Sequence, residues 1–267
     1  MYTYADLKED TLILKRLGYR VEYIATTVYG KDIPAFVRGE KPDTLITGCT
    51  HAREHITAKL VVDLAKRYYG TKIAFIPMLN PDGVLLIEKG ISAVPDIYRE
   101  RIMKINPSED FTLWKANGRG VDINVNYPAD WGTGVSNVFS PSSQNYVGEY
   151  PASENETKGS MDFVLKYGIT TLISYHAKGE VIYWSYKGKG NRKRGEELAK
   201  ITGYDLSYAY GSAGGFKDWF IQEGLGEGYT VEVGQDRFPH PYPYSEYGDI
   251  LSENVGVLQF ADEKADD

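Results

Sequence analysis

Apolar residues recur along this chain in short bursts whose spacing alternates between the helical and the extended period. Leu7, Leu14 and Leu17 share roughly one helical face, with Thr3 placed to cap it and Gly18 to stop it, which predicts a helix over residues 4–17. Residues 20–27 and 33–38 read as strands around a turn at Gly30-Lys31-Asp32. Residues 44–48 read as a short buried strand, and Ile56, Leu60, Leu64 and Tyr68, four apart, predict a helix over residues 53–69. Residues 72–79 read as another apolar strand, broken by Asn80-Pro81-Asp82-Gly83, a turn by composition.

Between residues 104 and 155 the pattern dissolves into Gly, Asn, Pro and aromatic residues. A stretch that long without periodicity is functional or a linker, and Trp114, Tyr127, Trp131 and Tyr146 favour an ordered, functional segment. Regular spacing then returns. Helices are expected near residues 157–167, 191–201, 216–222 and 245–260, and strands at 170–175 (ending at His176), 180–184 and 229–233. Tyr208 and Tyr210 read as alternating positions of an extended segment. Strands alternating with helices imply an α/β fold: a single-domain three-layer sandwich over residues 1–267, with a central mixed, largely parallel β-sheet flanked by helices.

Composition changes the picture mainly by exclusion. With 42% hydrophobic and 25% charged residues the chain is globular in type. Its 30 Lys+Arg against 37 Asp+Glu leave a net charge of −7, which argues against nucleic acid as a partner. No apolar run approaches a membrane span, and Asp6, Glu9 and Asp10 occupy the place where a signal peptide would be basic and then apolar, so a cytoplasmic location is expected. The lone Cys49 makes neither an internal disulfide nor a cysteine zinc site, so any metal must be held by His and carboxylate. The 22 tyrosines against 9 phenylalanines fit a polar ligand groove or partly exposed core edges equally.

The candidate chemistry lies at strand ends. His51, Glu54 and His176 fall at or just past the carboxyl ends of expected strands, where open α/β sheets bind ligands. Two histidines and a carboxylate with a position left open suit a hydrolytic zinc site. His-x-x-Glu alone is weak, since a structural histidine and a surface glutamate give the same pattern. Glu232, inside the apolar run of residues 229–233, is different, because a central strand does not bury an unpaired carboxylate without a reason.

The order of five motifs is far more specific. Gly48-Cys49-Thr50-His51-Ala52-Arg53-Glu54, Asn80-Pro81-Asp82-Gly83, Gly120-Val121-Asp122-Ile123-Asn124-Val125-Asn126-Tyr127, Ser174-Tyr175-His176 and Thr230-Val231-Glu232 together resemble the zinc carboxypeptidase family of the carboxypeptidase A type. That resemblance implies one Zn2+ held by His51, Glu54 and His176, with Glu232 as general base. It places Lys115, where the family usually has arginine, at the cation that steadies the oxyanion, with Arg119 as the alternative. Tyr210 matches the mobile substrate-contacting tyrosine, Tyr208 being the alternative.

Two departures bear on substrate. Where the family has Asn-Arg to clamp a C-terminal carboxylate, this chain has Asn124-Val125, and valine makes no guanidinium–carboxylate pair. Lys217, at the base of the family's side-chain pocket, suits a carboxylate-bearing side chain. With Trp114-Lys115-Ala116-Asn117 and the segment from His176 to Trp184, these features resemble a bacterial branch, the γ-D-glutamyl-diamino-acid peptidases of peptidoglycan stem peptides. The implied substrate is a stem peptide or muropeptide containing γ-D-glutamyl-meso-diaminopimelate, met by Arg53, Lys115, Arg119 and Lys217. Three other readings stay open: a carboxypeptidase for acidic C-terminal residues, an inverted zincin using His51-Ala52-Arg53-Glu54-His55, and a non-catalytic zinc- or glycan-binding relative.

Overall fold

The computed structural model describes residues 1–263. In chain order the strands are β1 (Arg20–Thr26), β2 (Asp32–Val37), β3 (Thr44–Thr47), β4 (Ile73–Ile76), β5 (Thr171–Ala177), β6 (Val181–Tyr183), β7 (Asp205–Ser207) and β8 (Glu227–Val233). The helices are α1 (Tyr4–Arg16), α2 (Ile56–Arg67), α3 (Pro81–Lys89), α4 (Asp96–Ile105), α5 (Asn155–Tyr167), α6 (Arg192–Thr202), α7 (Phe216–Gln222), α8 (Tyr247–Asn254) and α9 (Val257–Asp262). The strands form one sheet in the order β1-β2-β4-β3-β5-β8-β6-β7. Its centre, β4-β3-β5-β8, is parallel, and antiparallel pairings join β1, β2 and β6 to it.

Every residue of β3 and β4 is buried, as a parallel sheet covered on both faces requires. Successive side chains separate into two cores. On one face Ile46, Phe75 and Ile173 pack with Leu7 and Leu14 of α1, Leu60 and Leu64 of α2, Leu198 of α6, Ile250 of α8 and Phe260 of α9. On the other, Leu45, Ala74, Ile76 and Leu172 meet Phe163 of α5 and Phe216 and Phe220 of α7. Helix, sheet and helix are the three expected layers. Among the described residues no helix is long and apolar enough to cross a membrane.

Four local expectations need correction. Asn80-Pro81-Asp82-Gly83 is the start of α3, not a turn: Asn80 Oδ1 accepts the Gly83 N–H at 2.9 Å, and Pro81 takes the first helical position, where its missing donor costs nothing. The single helix expected over residues 245–260 is two, α8 and α9. The strand β7 falls outside the expected elements and ends at Ser207, so Tyr208 and Tyr210 are not on a strand. Helix α4 is likewise additional.

Helices α3 and α4 support the irregular segment that follows them. Leu86, Ile102, Phe111, Trp114 and Ala116 form a satellite core with Ala52, which joins the loop after β3 to the residues around Lys115. From residue 106 to 154 the only helical turn is Ile123–Val125, yet Trp114, Tyr127 and Tyr146 are buried. The segment is ordered by its aromatic residues and side-chain hydrogen bonds, as its composition suggested.

Candidate active site

The site is assembled by the backbone ladder. In the parallel β5–β8 pair, His176 lies directly opposite Glu232, and in the β3–β5 pair Thr47 lies opposite Ser174. The chain leaving β3 therefore turns beside His176 and carries His51 and Glu54 there on a short 3-10 turn, Ala52–Glu54. Gly48 permits that turn, because a Cβ there would meet the Thr57 carbonyl at 2.8 Å and Val61 at 3.0 Å.

His51 Nδ1 is 2.9 Å from Glu54 Oε1, His176 Nδ1 is 3.1 Å from Glu54 Oε2, and the two Nδ1 atoms are 3.1 Å apart. One ligand atom from each of these buried residues lies within 4.8 Å of the others, so the set could hold a metal ion. Two imidazoles and a carboxylate suit Zn2+ with a coordination position left open. Burial favours the neutral form of Glu54, yet His51 and His176 hold its carboxyl well below the usual range. For His51 burial works the other way, but Glu54 raises it overall. The concentration of acceptor charge is what a bound cation would meet.

Asp122, inside a quoted motif but given no role by its sequence, sits behind this set. Its Oδ1 is 3.2 Å from His51 Nε2, off the line of a good hydrogen bond, and its Oδ2 is 2.8 Å from Lys115 Nζ. Despite full burial, Lys115 and His51 hold its carboxyl well below the ordinary value. A carboxylate behind a metal-binding histidine orients the ring; here it also ties down a cation of the site. The signal in the sequence was Asp122 lying two residues before Asn124 in the same motif.

A cavity of about 300 Å³ opens from this centre, lined by His51, Lys115, Asn124, Val125, Tyr210, Lys217 and Glu232 among others. A larger one, about 620 Å³, lies at the opposite end of the sheet around Thr44, Thr171 and Glu227 and contains none of the expected site residues. Glu232 is partly buried beside the metal-binding set, and desolvation first, then Glu54, push its carboxyl up to about 7, against the pull of His176, Lys115 and Arg53. A carboxylate poised there accepts and returns a proton near neutral pH.

The structure separates the alternatives. Lys115 lines the cavity, whereas Arg119 is outside it, with its guanidinium 2.8 Å from Glu149 and 3.8 Å from Glu154, so Arg119 is withdrawn as the oxyanion cation. Tyr210 lines the cavity and is 87% exposed, and Tyr208 stands off the cavity against Trp184 and Tyr210. Asn124 is at the cavity, its Oδ1 accepting the Phe216 N–H at 3.2 Å. Lys217 reaches the cavity but is not a free cation: its Nζ is 2.6 Å from Asp218 Oδ1 and 2.8 Å from the Ser185 carbonyl. Arg53 lies off the cavity lining, with its Nε buried and unpartnered. His55 stacks on Tyr244 outside the metal-binding set, which removes the inverted-zincin reading.

A buried His-Glu-His set that could hold a metal ion, with a carboxylate beside it, lies at the carboxyl ends of parallel strands in a three-layer α/β sandwich. The sequence profile of the zinc carboxypeptidases matches residues 20–201, and the chain belongs to that family, whose cofactor is Zn2+. It is 33% identical over 195 residues to gamma-D-glutamyl-L-diamino acid endopeptidase 1 of Lysinibacillus sphaericus, covering 72% of this chain and 49% of that protein. It is 29% identical over 215 residues to carboxypeptidase A1 of Bos taurus, covering 68% of this chain and 48% of that one. The chain thus spans about half the length of the curated relatives it matches. Among solved structures, bovine thrombin-activatable fibrinolysis inhibitor shares the fold with a TM-score of 0.74 at 21% identity, over 96% of this chain and 95% of that one. The murein-tripeptide amidase MpaA of Escherichia coli O157 does so with a TM-score of 0.63 at 19% identity, over 92% and 93%.

Proposed function

We propose that this zinc metallopeptidase hydrolyses the bond between γ-D-glutamate and meso-diaminopimelate in peptidoglycan stem peptides. The observation that carries the reading is the cavity wall itself. Val125 stands there beside Asn124, so no guanidinium is offered at that point to a C-terminal carboxylate. Deeper in, the buried Lys217–Asp218 pair presents both signs of charge, which matches the ammonium and carboxylate at the far end of a diaminopimelate side chain better than a simple acidic one. The name of the Lysinibacillus sphaericus relative supports the same substrate class.

In this reading His51, Glu54 and His176 hold the metal, which when bound supplies Lewis-acid activation of water and of the scissile carbonyl. Glu232 takes a proton from the attacking water and hands it to the leaving amine. Because Glu232 works as the ionised base, turnover is expected to decline on the acid side as its carboxylate becomes protonated. Lys115, steadied by Asp122, faces the charge that develops on the carbonyl oxygen. Tyr210 closes over the substrate from the exposed rim.

The test is mass spectrometry of products after zinc-loaded protein meets L-Ala-γ-D-Glu-meso-diaminopimelate, beside a standard hydrophobic carboxypeptidase substrate. Release of L-Ala-D-Glu from the first alone is the expected result. Cleavage of the second alone overturns the reading in favour of an ordinary carboxypeptidase.

A further inference from the structure

Lys115 stands where the family usually carries an arginine, and the two cations are not equivalent. A guanidinium is a rigid fork that can lean on a carboxylate with one edge and still present N–H groups elsewhere. An ammonium on a flexible stem is a point charge, and it takes its position from whatever its three N–H donors meet. Asp122 occupies one of those donors, its Oδ2 lying 2.8 Å from Nζ. Asn145 meets a second: its Oδ1 accepts from Lys115 Nζ at 3.4 Å, and its backbone N–H donates to Asp122 Oδ2 at 3.1 Å. One residue therefore touches both the cation and the carboxylate that grips it.

Asn145 belongs to none of the five motifs, and its place comes from the folding of the irregular segment. Val138 and Tyr146 form an isolated parallel bridge, in which the Val138 N–H donates to the Asn145 carbonyl at 3.0 Å and the Val147 N–H to the Val138 carbonyl at 3.2 Å. Side chains alternate along extended chain, so Asn137 and Asn145 face the side away from Val138 and Tyr146. The surroundings agree: Tyr146 is buried with Val121 and Val147, whereas Asn137 and Asn145 line the cavity that holds Lys115 and Glu232. Just before the bridge, the Ser143 carbonyl accepts the N–H groups of Lys115 at 3.0 Å and Ala116 at 2.9 Å. Residues 143–145 thus hold the main chain of Lys115 at one end and its ammonium at the other. The backbone of Asn145 is left-handed, with φ 62°, a conformation that asparagine accepts more readily than most residues.

We propose that Asn145 is a positioning residue: with Asp122 it takes up two of the three N–H donors of Lys115 and turns the third into the cavity, toward the carbonyl oxygen on which charge develops. This rests on the metallopeptidase reading with Lys115 as the oxyanion cation, and not on the stem peptide as substrate. Asn145 then acts on kcat, and only through Lys115.

The test is a double-mutant cycle, read on whichever of L-Ala-γ-D-Glu-meso-diaminopimelate and the hydrophobic carboxypeptidase substrate the zinc-loaded wild type cleaves. Asn145→Gly removes the side-chain amide and keeps a residue at ease in the left-handed region, so the bridge and the backbone N–H to Asp122 survive. It is expected to lower kcat about tenfold, the scale of one hydrogen bond to a charged group, with KM within about twofold and zinc content unchanged. In the Lys115→Ala protein the same substitution should change kcat by less than about twofold, because the group it acts through is gone. Asn145→Asp keeps the oxygen and the backbone but sets a second carboxylate on the ammonium, and it should lower kcat as well, again only where Lys115 is present. Unchanged kcat in Asn145→Gly, equal losses with and without Lys115, or a loss carried by KM overturns the positioning role. Cleavage of the hydrophobic substrate alone overturns the stem-peptide reading and leaves this cycle to be read on that substrate; cleavage of neither overturns both.

Discussion

The active site is built from two kinds of chain. His51, Glu54, His176 and Glu232 hang from the ends of β3, β5 and β8 or the turn just beyond, where ladder register alone brings His176 against Glu232. Lys115, Asp122 and Asn124 come from the irregular stretch between α4 and α5, and Tyr210 from the loop after β7. That second group is placed by side chains: Asn117 Nδ2 donates to Glu154 at 2.7 Å and to Glu156 at 3.3 Å, Trp131 donates to the Val147 carbonyl at 2.8 Å, and Asp122 grips Lys115. In the proposed mechanism the sheet delivers the metal-binding set and the base, and the loops supply Lys115, which steadies the oxyanion, and the groups that meet the substrate.

The widest gap between the two groups is expected on removing a strand-borne ligand. His176→Ala leaves two of three protein ligands, so zinc content measured after dialysis should fall well below one per chain and turnover should drop to background. Retention of a full zinc complement would show that another residue completes the set.

A loop-borne change should spare the metal and cost rate. Lys115→Ala is expected to lower kcat by about 100- to 1000-fold, as loss of an oxyanion donor does, with zinc content unchanged. Arg119→Ala breaks its ion pairs with the exposed Glu149 and, at 3.8 Å, with Glu154, both outside the cavity, and should leave kcat within about threefold of wild type. Reversal of these two effects would restore Arg119 as the cation of the site.

The strand-borne half of the site is legible in the sequence because His176 closes a buried apolar run, Glu232 lies within one, and His51 and Glu54 follow just after another; the structure brings His51, Glu54 and His176 together, with Glu54 on a 3-10 turn rather than in the helix expected over residues 53–69. The loop-borne half is legible only through its resemblance to known motifs, since no periodicity announces it. Asp122 shows the limit: its role lies in reaching two residues from different segments, which spacing does not encode. Lys217 shows another, for its neighbour Asp218 stood beside it in the chain, yet only the structure shows that the two pair. Asn80-Pro81 misleads for a local reason, because the same residues that favour a turn also cap a helix and open its first turn.

The smallest expected effect is a dependence of stability on pH, lodged in the anchor of the irregular segment. Burial, with Glu154 and Asp82 nearby, pushes the Glu156 carboxyl up to about 8. Its folded value lies above its unfolded one, so the stabilisation is fully present below the unfolded pKa of about 4.5 and is lost as pH rises through about 8. Glu156→Gln keeps the contact with Asn117 and removes the proton, so Tm measured across that interval should fall less steeply in the variant than in wild type. Parallel curves for the two proteins would show that Glu156 does not titrate there.

The proposed division between a metal-binding set and a base that stands beside it without holding the metal is tested most directly by Glu232→Gln. Zinc content and hydrolysis of L-Ala-γ-D-Glu-meso-diaminopimelate should be measured on the same preparation. The account predicts about one zinc per chain, as in wild type, with turnover reduced by about 100-fold or more. Loss of the zinc, or turnover close to wild type with the zinc in place, would contradict it.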